Sequence, residues 1–316
     1  MCTTRDKYMQ WTKLTINTTD EAVDWVYMLL LDAGYAGDIF ITPYTTSNKS
    51  FPWTFTIHLY LVNDIQINQS INKIAQLLTP LQRTKMADEL EIGGVESNPK
   101  NNTNLFHRKI GDRFLIIPPH GANVTLPSDN ITIKLKPSLA FGSGLHPATI
   151  LSLQLLEKYV TSGMYTLDLG SGSGILSIAI AKQGASVLAL DNDAIAVKST
   201  KEAVSLNGVD LQVNIAEGSL GQGSTLGHWM GGETASKIQA IDTQQEFDLI
   251  VANIFARIHI ALASDYQQAL GKNGILLTVG FTEDYTPSII SAMEEQGLTL
   301  VDREQLHEWV SLAFQG

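Results

Sequence analysis

The chain holds one cysteine, Cys2, in 316 residues. A lone thiol forms no intramolecular disulfide and no thiolate cluster, so a disulfide-stapled scaffold and a Cys-ligated metal centre are both excluded, and no metal is expected. Long apolar runs are also missing. The stretch from Leu151 to Val160 is broken by Gln154, Glu157 and Lys158, well short of the ~20 apolar residues that cross a bilayer. The N-terminus lacks the basic-then-apolar layout of an export signal, which leads to the expectation of a cytoplasmic protein without membrane contact. Asn-x-Ser/Thr triplets at Asn17, Asn123 and Asn130 are then chance matches rather than glycan sites. Basic residues are scarce: 21 Lys and Arg stand against 32 Asp and Glu, a net charge of -11. Phosphate backbones need clustered cations, so direct nucleic-acid binding is not expected. The same acidity favours a cationic cofactor or a basic partner.

What is present is enough apolar material, 44% of the chain, to bury a sizeable core, and enough length for two domains. The most informative stretch is Thr166-Leu167-Asp168-Leu169-Gly170-Ser171-Gly172-Ser173-Gly174-Ile175-Leu176, followed by Val187-Leu188-Ala189-Leu190 and then Asp191. An apolar run, a turn with three alternate glycines, a helix and a second apolar run closed by a carboxylate form a nucleoside-binding βαβ unit. A dinucleotide fingerprint requires Gly-x-Gly-x-x-Gly. After Gly170 and Gly172 the sixth position is Ile175, too bulky for the third glycine, which disfavours a nicotinamide-dependent oxidoreductase. Alternate glycines still permit positive φ and close backbone approach to an adenosine with an amino-acid tail. A carboxylate at Asp191 can accept from both ribose hydroxyls. The unit therefore points to S-adenosyl-L-methionine and methyl transfer, with an ordinary strand-to-helix loop as the bland alternative for the turn alone.

Periodicity organises the rest. Strands at Trp11 to Ile16, Ile39 to Thr42 and Trp53 to Val62, with helices at Thr19 to Ala33 and Ile65 to Leu78, suggest a small ferredoxin-like α+β domain over 1–97. The polar run Asn98 to Asn104 opens a linker and strand-rich bridge over 98–136, with apolar runs at Arg113 to Ile117 and Ile131 to Leu135. Over 137–316 helices alternate with strands. The helices are Pro147 to Val160, Ile175 to Lys182, Ala194 to Leu206, Ile258 to Leu270 and Pro287 to Glu295. The strands are Tyr165 to Leu169, Ser186 to Leu190, Leu211 to Ala216, Phe247 to Ala252, Gly274 to Val279, Thr299 to Asp302 and Glu308 to Ala313. This predicts an α/β, doubly wound, mostly parallel seven-stranded sheet whose last two strands pair antiparallel. The aperiodic segment 217–246, with His228-Trp229-Met230 at its centre, reads as a flexible insertion with a lid role.

Three stretches narrow the reading: Pro137-Ser138-Leu139-Ala140-Phe141-Gly142-Ser143-Gly144-Leu145-His146-Pro147-Ala148-Thr149, Val251-Ala252-Asn253-Ile254-Phe255-Ala256 and Glu308-Trp309-Val310. Together they resemble the bacterial ribosomal protein L-eleven methyltransferase family, from about Ile110 to the C-terminus apart from the loop after Glu217. The resemblance implies that Thr149, Gly170, Asp191 and Asn253 contact S-adenosylmethionine, that the acceptor is an amino group of a large-subunit ribosomal protein, and that the N-terminal domain grips that protein. Departures at Lys136-Pro137-Ser138, Leu145, Ala148 and Ser171 touch none of those contacts.

Gly172 joins the cofactor set through the turn. Asp168 orients the donor's amino group through water or bonds the backbone of the turn. Asn253 carries an amide that accepts from an amine and donates to a carboxylate, and is the candidate catalytic residue; read alone, it is equally a strand-end turn residue. His146 reads as a helix cap before Pro147, and Asp193 as the cap of the next helix. Other acceptors, another protein or a small amine, and a non-enzymatic binding module remain the competing readings.

Overall fold

A computed structural model of the chain describes residues 10–35, 39–45, 52–95, 108–117, 130–136, 144–221, 240–241 and 246–316, which fall into two compact units. The first contains β1 (Trp11–Thr18), α1 (Ala22–Asp32), β2 (Ile39–Pro43), β3 (Phe55–Val62), α2 (Ile67–Arg83) and β4 (Glu91–Val95). The sheet order is β2-β3-β1-β4 with every pair antiparallel, the split βαβ arrangement expected from the element order. Alternation sends Leu14, Ile16, Phe55, Ile57 and Leu59 into the core, where Ile74, Leu78 and Leu81 of α2 are also buried.

Two features of this unit depart from the sequence reading. Helix α2 continues past Leu78 to Arg83 through Pro80, because Leu81 one turn on is a core residue and its burial outweighs the backbone bond that proline forfeits. Strand β4 was not anticipated. Glu91-Ile92-Gly93-Gly94-Val95 has weak strand propensity and forms by backbone pairing along the edge of β1.

The second unit opens with a three-stranded sheet of β5 (Arg108–Ile110), β6 (Phe114–Ile117) and β7 (Ile131–Lys134), of which β5 was also not foreseen. It continues with α3 (Pro147–Tyr159), β8 (Tyr165–Leu169), α4 (Ile175–Lys182), β9 (Ser186–Asp191), α5 (Ala194–Asn207), β10 (Val213–Glu217), and the two-residue parallel pair β11 (Ser219–Leu220) and β12 (Ala240–Ile241). Then come β13 (Phe247–Asn253), α6 (Ala256–Ala261), α7 (Ala263–Ala269), β14 (Leu270–Thr282), α8 (Thr286–Glu294), β15 (Thr299–Leu306) and β16 (Trp309–Gln315). The main sheet has the order β10-β9-β8-β13-β14-β16-β15. Only β16 runs against its neighbours, as the short gap before it requires.

Both faces of this sheet are covered, which is why its strands read as near-continuous apolar runs. In β13, Leu249 and Val251 join one core with Leu153, Ile178 and Val204, while Ile250 and Ala252 join a second with Ile258, Tyr266 and Ile289. The helix expected over Ile258 to Leu270 is instead two short helices, α6 and α7, meeting at Leu262, whose ψ of 3° leaves helical geometry. Strand order reverses between β8 and β13, so the crevice at their C-terminal ends is the topological switch point, where doubly wound sheets bind ligands.

The polar run Asn98 to Asn104, the turns at Pro118-Pro119-His120-Gly121 and Pro127 to Asp129, Pro137 to Ser143 and the centre of segment 217–246 lie outside the described residues. No helix among the described residues is long and apolar enough to cross a membrane.

Candidate functional site

The turn after β8 needs its glycines. Gly170, Gly172 and Gly174 have φ of +81°, +53° and +80°, a region that costs L-residues steric strain. Gly174 is doubly constrained, since a Cβ there would lie 3.1 Å from Thr200 Cα. The backbone N–H groups of Gly170 and Ser171 donate to Leu190 O at 2.8 and 3.0 Å, which locks the turn to the end of β9. Thr200 Oγ1 donates to Gly172 O at 3.0 Å and lies 3.0 Å from Ser171 Oγ. Sequence reasoning missed this support. The available signal was a hydroxyl within the buried stripe Ala196, Val197, Thr200, Ala203, Val204 of α5.

Two aspartates end the adjacent strands. Asp191 Oδ2 accepts from Gly172 N–H at 2.9 Å and its Oδ1 from Asp193 N–H at 3.0 Å. The carboxylate thus shapes the glycine turn and the start of α5. Each carboxylate oxygen offers two lone pairs, so this scaffolding does not exclude ribose hydroxyls. Asp193 caps α5 by accepting from Ile195 N–H at 2.8 Å. Asp168 is fully buried. Its Oδ2 accepts from Ser177 Oγ–H of α4, a partner the sequence did not suggest, while Oδ1 is buried with no hydrogen-bond partner among the described residues. Burial, reinforced by the nearby Asp191 charge and opposed by the Ser177 bond, pushes the Asp168 carboxyl up to about 7.

On α3, His146 is the N-cap: its Nδ1 accepts from Ala148 N–H at 3.1 Å, with Pro147 opening the helix. Burial pulls this imidazole down to about 4, so it is neutral at pH 7, and Trp309 packs edge-on against it with centroids 4.4 Å apart. His146 is therefore a cap, as the Pro147 that follows it suggested, and Trp309 packs against its ring. Thr149, three residues into the helix, is fully buried with Oγ1 lacking a hydrogen-bond partner among the described residues.

Asn253 ends β13 opposite Val279 of β14. The next residue, Ile254, donates its N–H to Val279 O at 3.0 Å. Gly280, with φ of +96°, leaves no room for a side chain: a Cβ there would lie 2.6 Å from Ile254 O and 2.8 Å from Asn253 Oδ1. Gly280 was not singled out from the sequence, because a glycine inside a strand pattern does not reveal which backbone approaches it.

A sheet with one reversed strand, a glycine turn bonded to a carboxylate at the switch point, and an amide on the next strand end together define a methyltransferase-type nucleoside-binding domain. The family described as "Ribosomal protein L11 methyltransferase (PrmA)" matches residues 10–316. The chain is 34% identical to the ribosomal protein L11 methyltransferase of Herpetosiphon aurantiacus over 96% of its own length and 98% of that protein. It is 35% identical to that of Chloroflexus aurantiacus over 96% and 97%. Among solved structures it is similar to ribosomal protein L11 methylase from Lactobacillus delbrueckii subsp. bulgaricus, with a TM-score of 0.55 and 29% identity over 66% of this chain and 97% of that one. The chain belongs to the ribosomal protein L11 methyltransferase family.

Proposed function

We propose that the chain transfers methyl groups from S-adenosyl-L-methionine to amino groups, lysine side chains or the N-terminus, of ribosomal protein L11. A ribosomal-protein acceptor implies a cytoplasmic site of action. The observation that carries the reading is a pair of buried, unpartnered polar atoms, Asp168 Oδ1 and Thr149 Oγ1, belonging to a strand end and a helix start of the unit that holds the glycine turn. Buried polar atoms are nearly always hydrogen-bonded, so these two call for an explanation, and a bound ligand supplies one. Their chemistry fits the donor: a carboxylate for an ammonium, a hydroxyl for a carboxylate tail, Asp191 for ribose hydroxyls, and the backbone of Gly170 and Gly172 for close approach.

Bound there, S-adenosylmethionine supplies a methyl carbon on a sulfonium leaving group, so that the acceptor nitrogen's lone pair forms the N–C bond as the C–S pair returns to sulfur. The chain has two tasks. The first is removal of the amine proton: a lysine with pKa about 10.4 is neutral in roughly one molecule in 2,500 at pH 7, which amounts to about 4 to 5 kcal/mol of the barrier. His146 is no base for this step, since its Nδ1 already holds a backbone N–H. Desolvation beside a cation lowers the acceptor's pKa instead, and the proton leaves to solvent. The second task is alignment. Asn253 Oδ1 accepts from an acceptor N–H and thereby directs the lone pair toward the methyl carbon, a gain from orientation rather than acid–base chemistry. Within this reading residues 1–97 recognise the substrate, 98–136 form the bridge and 137–316 the catalytic domain.

Incubation of the protein with the donor and ribosomal protein L11, followed by mass spectrometry of the latter, tests the assignment. Mass gains in whole methyl increments on amino groups are expected. Saturable donor binding with no gain on L11 would overturn the substrate and leave another amine as acceptor.

A further inference from the structure

Helix α6 follows Asn253 after only two residues and carries a fully buried imidazole, His259. Its Nε2 lies 2.8 Å from Val279 O, and its Nδ1 lies 3.3 Å from the hydroxyl of Tyr266 on α7. A carbonyl only accepts, so Nε2 carries the proton, and Nδ1 is left to accept from Tyr266 O–H. Burial lowers the ring to about 4, which keeps this neutral arrangement across the physiological range. Phe281 closes the cluster edge-on, with ring centroids 5.6 Å apart.

The bonded carbonyl is the one that matters for the strand end. Val279 is the register partner of Asn253, and its oxygen receives Ile254 N–H as well as the imidazole. The following residue, Gly280, lies against Ile254 and the amide oxygen of Asn253. The split of the expected helix at Leu262 belongs to the same device, since it puts His259 on one segment and Tyr266 on the other.

We infer that His259 is a positioning residue for methyl transfer: from α6 it clamps the Val279 carbonyl and so fixes the Val279-Gly280 backbone against which the Asn253 amide lies. A satisfied buried polar pair fixes one arrangement where apolar packing of similar volume tolerates several. The inference rests on the reading of Asn253 as the residue that faces donor and acceptor. His259 itself touches neither.

The test is a mutant cycle on two readouts, calorimetric affinity for S-adenosylhomocysteine and kcat on ribosomal protein L11, with Tm recorded alongside. His259→Phe keeps a ring of similar size and removes both bonds. It is expected to lower kcat by roughly tenfold or more, in line with the cost of small misplacements, and to weaken S-adenosylhomocysteine severalfold. His259→Gln, which retains an N–H donor, should recover most of both. In an Asn253→Ala background His259→Phe should change neither. If His259→Phe is as damaging in that background as in the native one, or lowers Tm while leaving kcat and affinity intact, the clamp is merely structural and the inference fails. Should Asn253→Ala alone leave affinity and kcat at native values, the reading of Asn253 fails first, and the inference with it. If His259→Phe does not fold, His259→Gln and Tyr266→Phe carry the same cycle, with smaller losses that must again vanish with Asn253→Ala.

Discussion

The two strand-end pairs that flank the switch point are built from opposite chemistry. At the ends of β8 and β9 stand two carboxyl groups: Asp191, joined to the glycine turn and the start of α5 by backbone N–H groups, and Asp168, held by the Ser177 hydroxyl. At the end of β13 and near the end of β14 stand an amide and a close-packed glycine, with a neutral imidazole bonded to the Val279 carbonyl beside them. The difference suits the two reactants. A cationic amino-acid nucleoside gains from acid groups at its sugar and ammonium. An amine acceptor must lose its proton, and a carboxylate at its side would raise its pKa and oppose that loss. Under the proposed function, acid on one side and neutral polarity on the other would let one crevice hold a cation and discharge another.

The division can be attacked from either side, and the largest effect is expected on the acid side. Asp191→Ala removes the carboxylate proposed to hold the ribose and also frees the backbone N–H groups of Gly172 and Asp193. Charge-assisted bonds contribute about 1.5 to 3 kcal/mol each, so calorimetry should find donor affinity down by roughly a hundredfold or more. An unchanged affinity would break the comparison outright. Next comes Gly280→Ala on the neutral side. Its φ and the clash with Ile254 and Asn253 predict strain of about 1 to 3 kcal/mol, seen as a lower Tm, together with a kcat loss of roughly tenfold.

A smaller effect comes from Asp168. The buried carboxyl titrates at about 7 when nothing cationic faces it, so below that pH the donor must displace a proton in order to bind. Affinity should therefore rise with pH, by roughly fivefold between pH 6 and 7, with proton release detectable in buffers of different ionisation enthalpy. Asp168→Asn should flatten that dependence. The same group lowers folding stability as pH rises: its native pKa exceeds the unfolded value, so the native state binds the extra proton between about pH 4 and 7, and the stability present below that window is lost progressively across it, with no further change above it. The smallest effect is Thr149→Val. Removing a buried hydroxyl that has no partner should raise stability by about 1 kcal/mol while weakening the donor severalfold, a separation of stability from binding readable by thermal melts and calorimetry on one variant.

Much of this architecture could be read in the chain itself. The alternate glycines, the apolar runs of both faces of β13 and the His146-Pro147 cap follow from local rules, namely positive φ, period-two burial and capping. The features that escaped are those set by partners distant in sequence. Strands β4 and β5 owe their existence to neighbours rather than to propensity. Thr200 supports a turn that lies on another element, Asp168 finds Ser177 across a helix start, and Gly280 is glycine because Ile254 and Asn253 approach it from the next strand. His259 looked like one helical residue among others until its strand partner, the Val279 carbonyl, was in place.

The most direct test of the division is a crystal structure of the chain grown with S-adenosylhomocysteine. The account predicts the adenosine ribose on Asp191, the amino-acid tail within reach of Asp168 and Thr149, and the sulfur facing Asn253 across the crevice. A nucleoside bound elsewhere, or a crevice filled by the protein's own side chains, would contradict it.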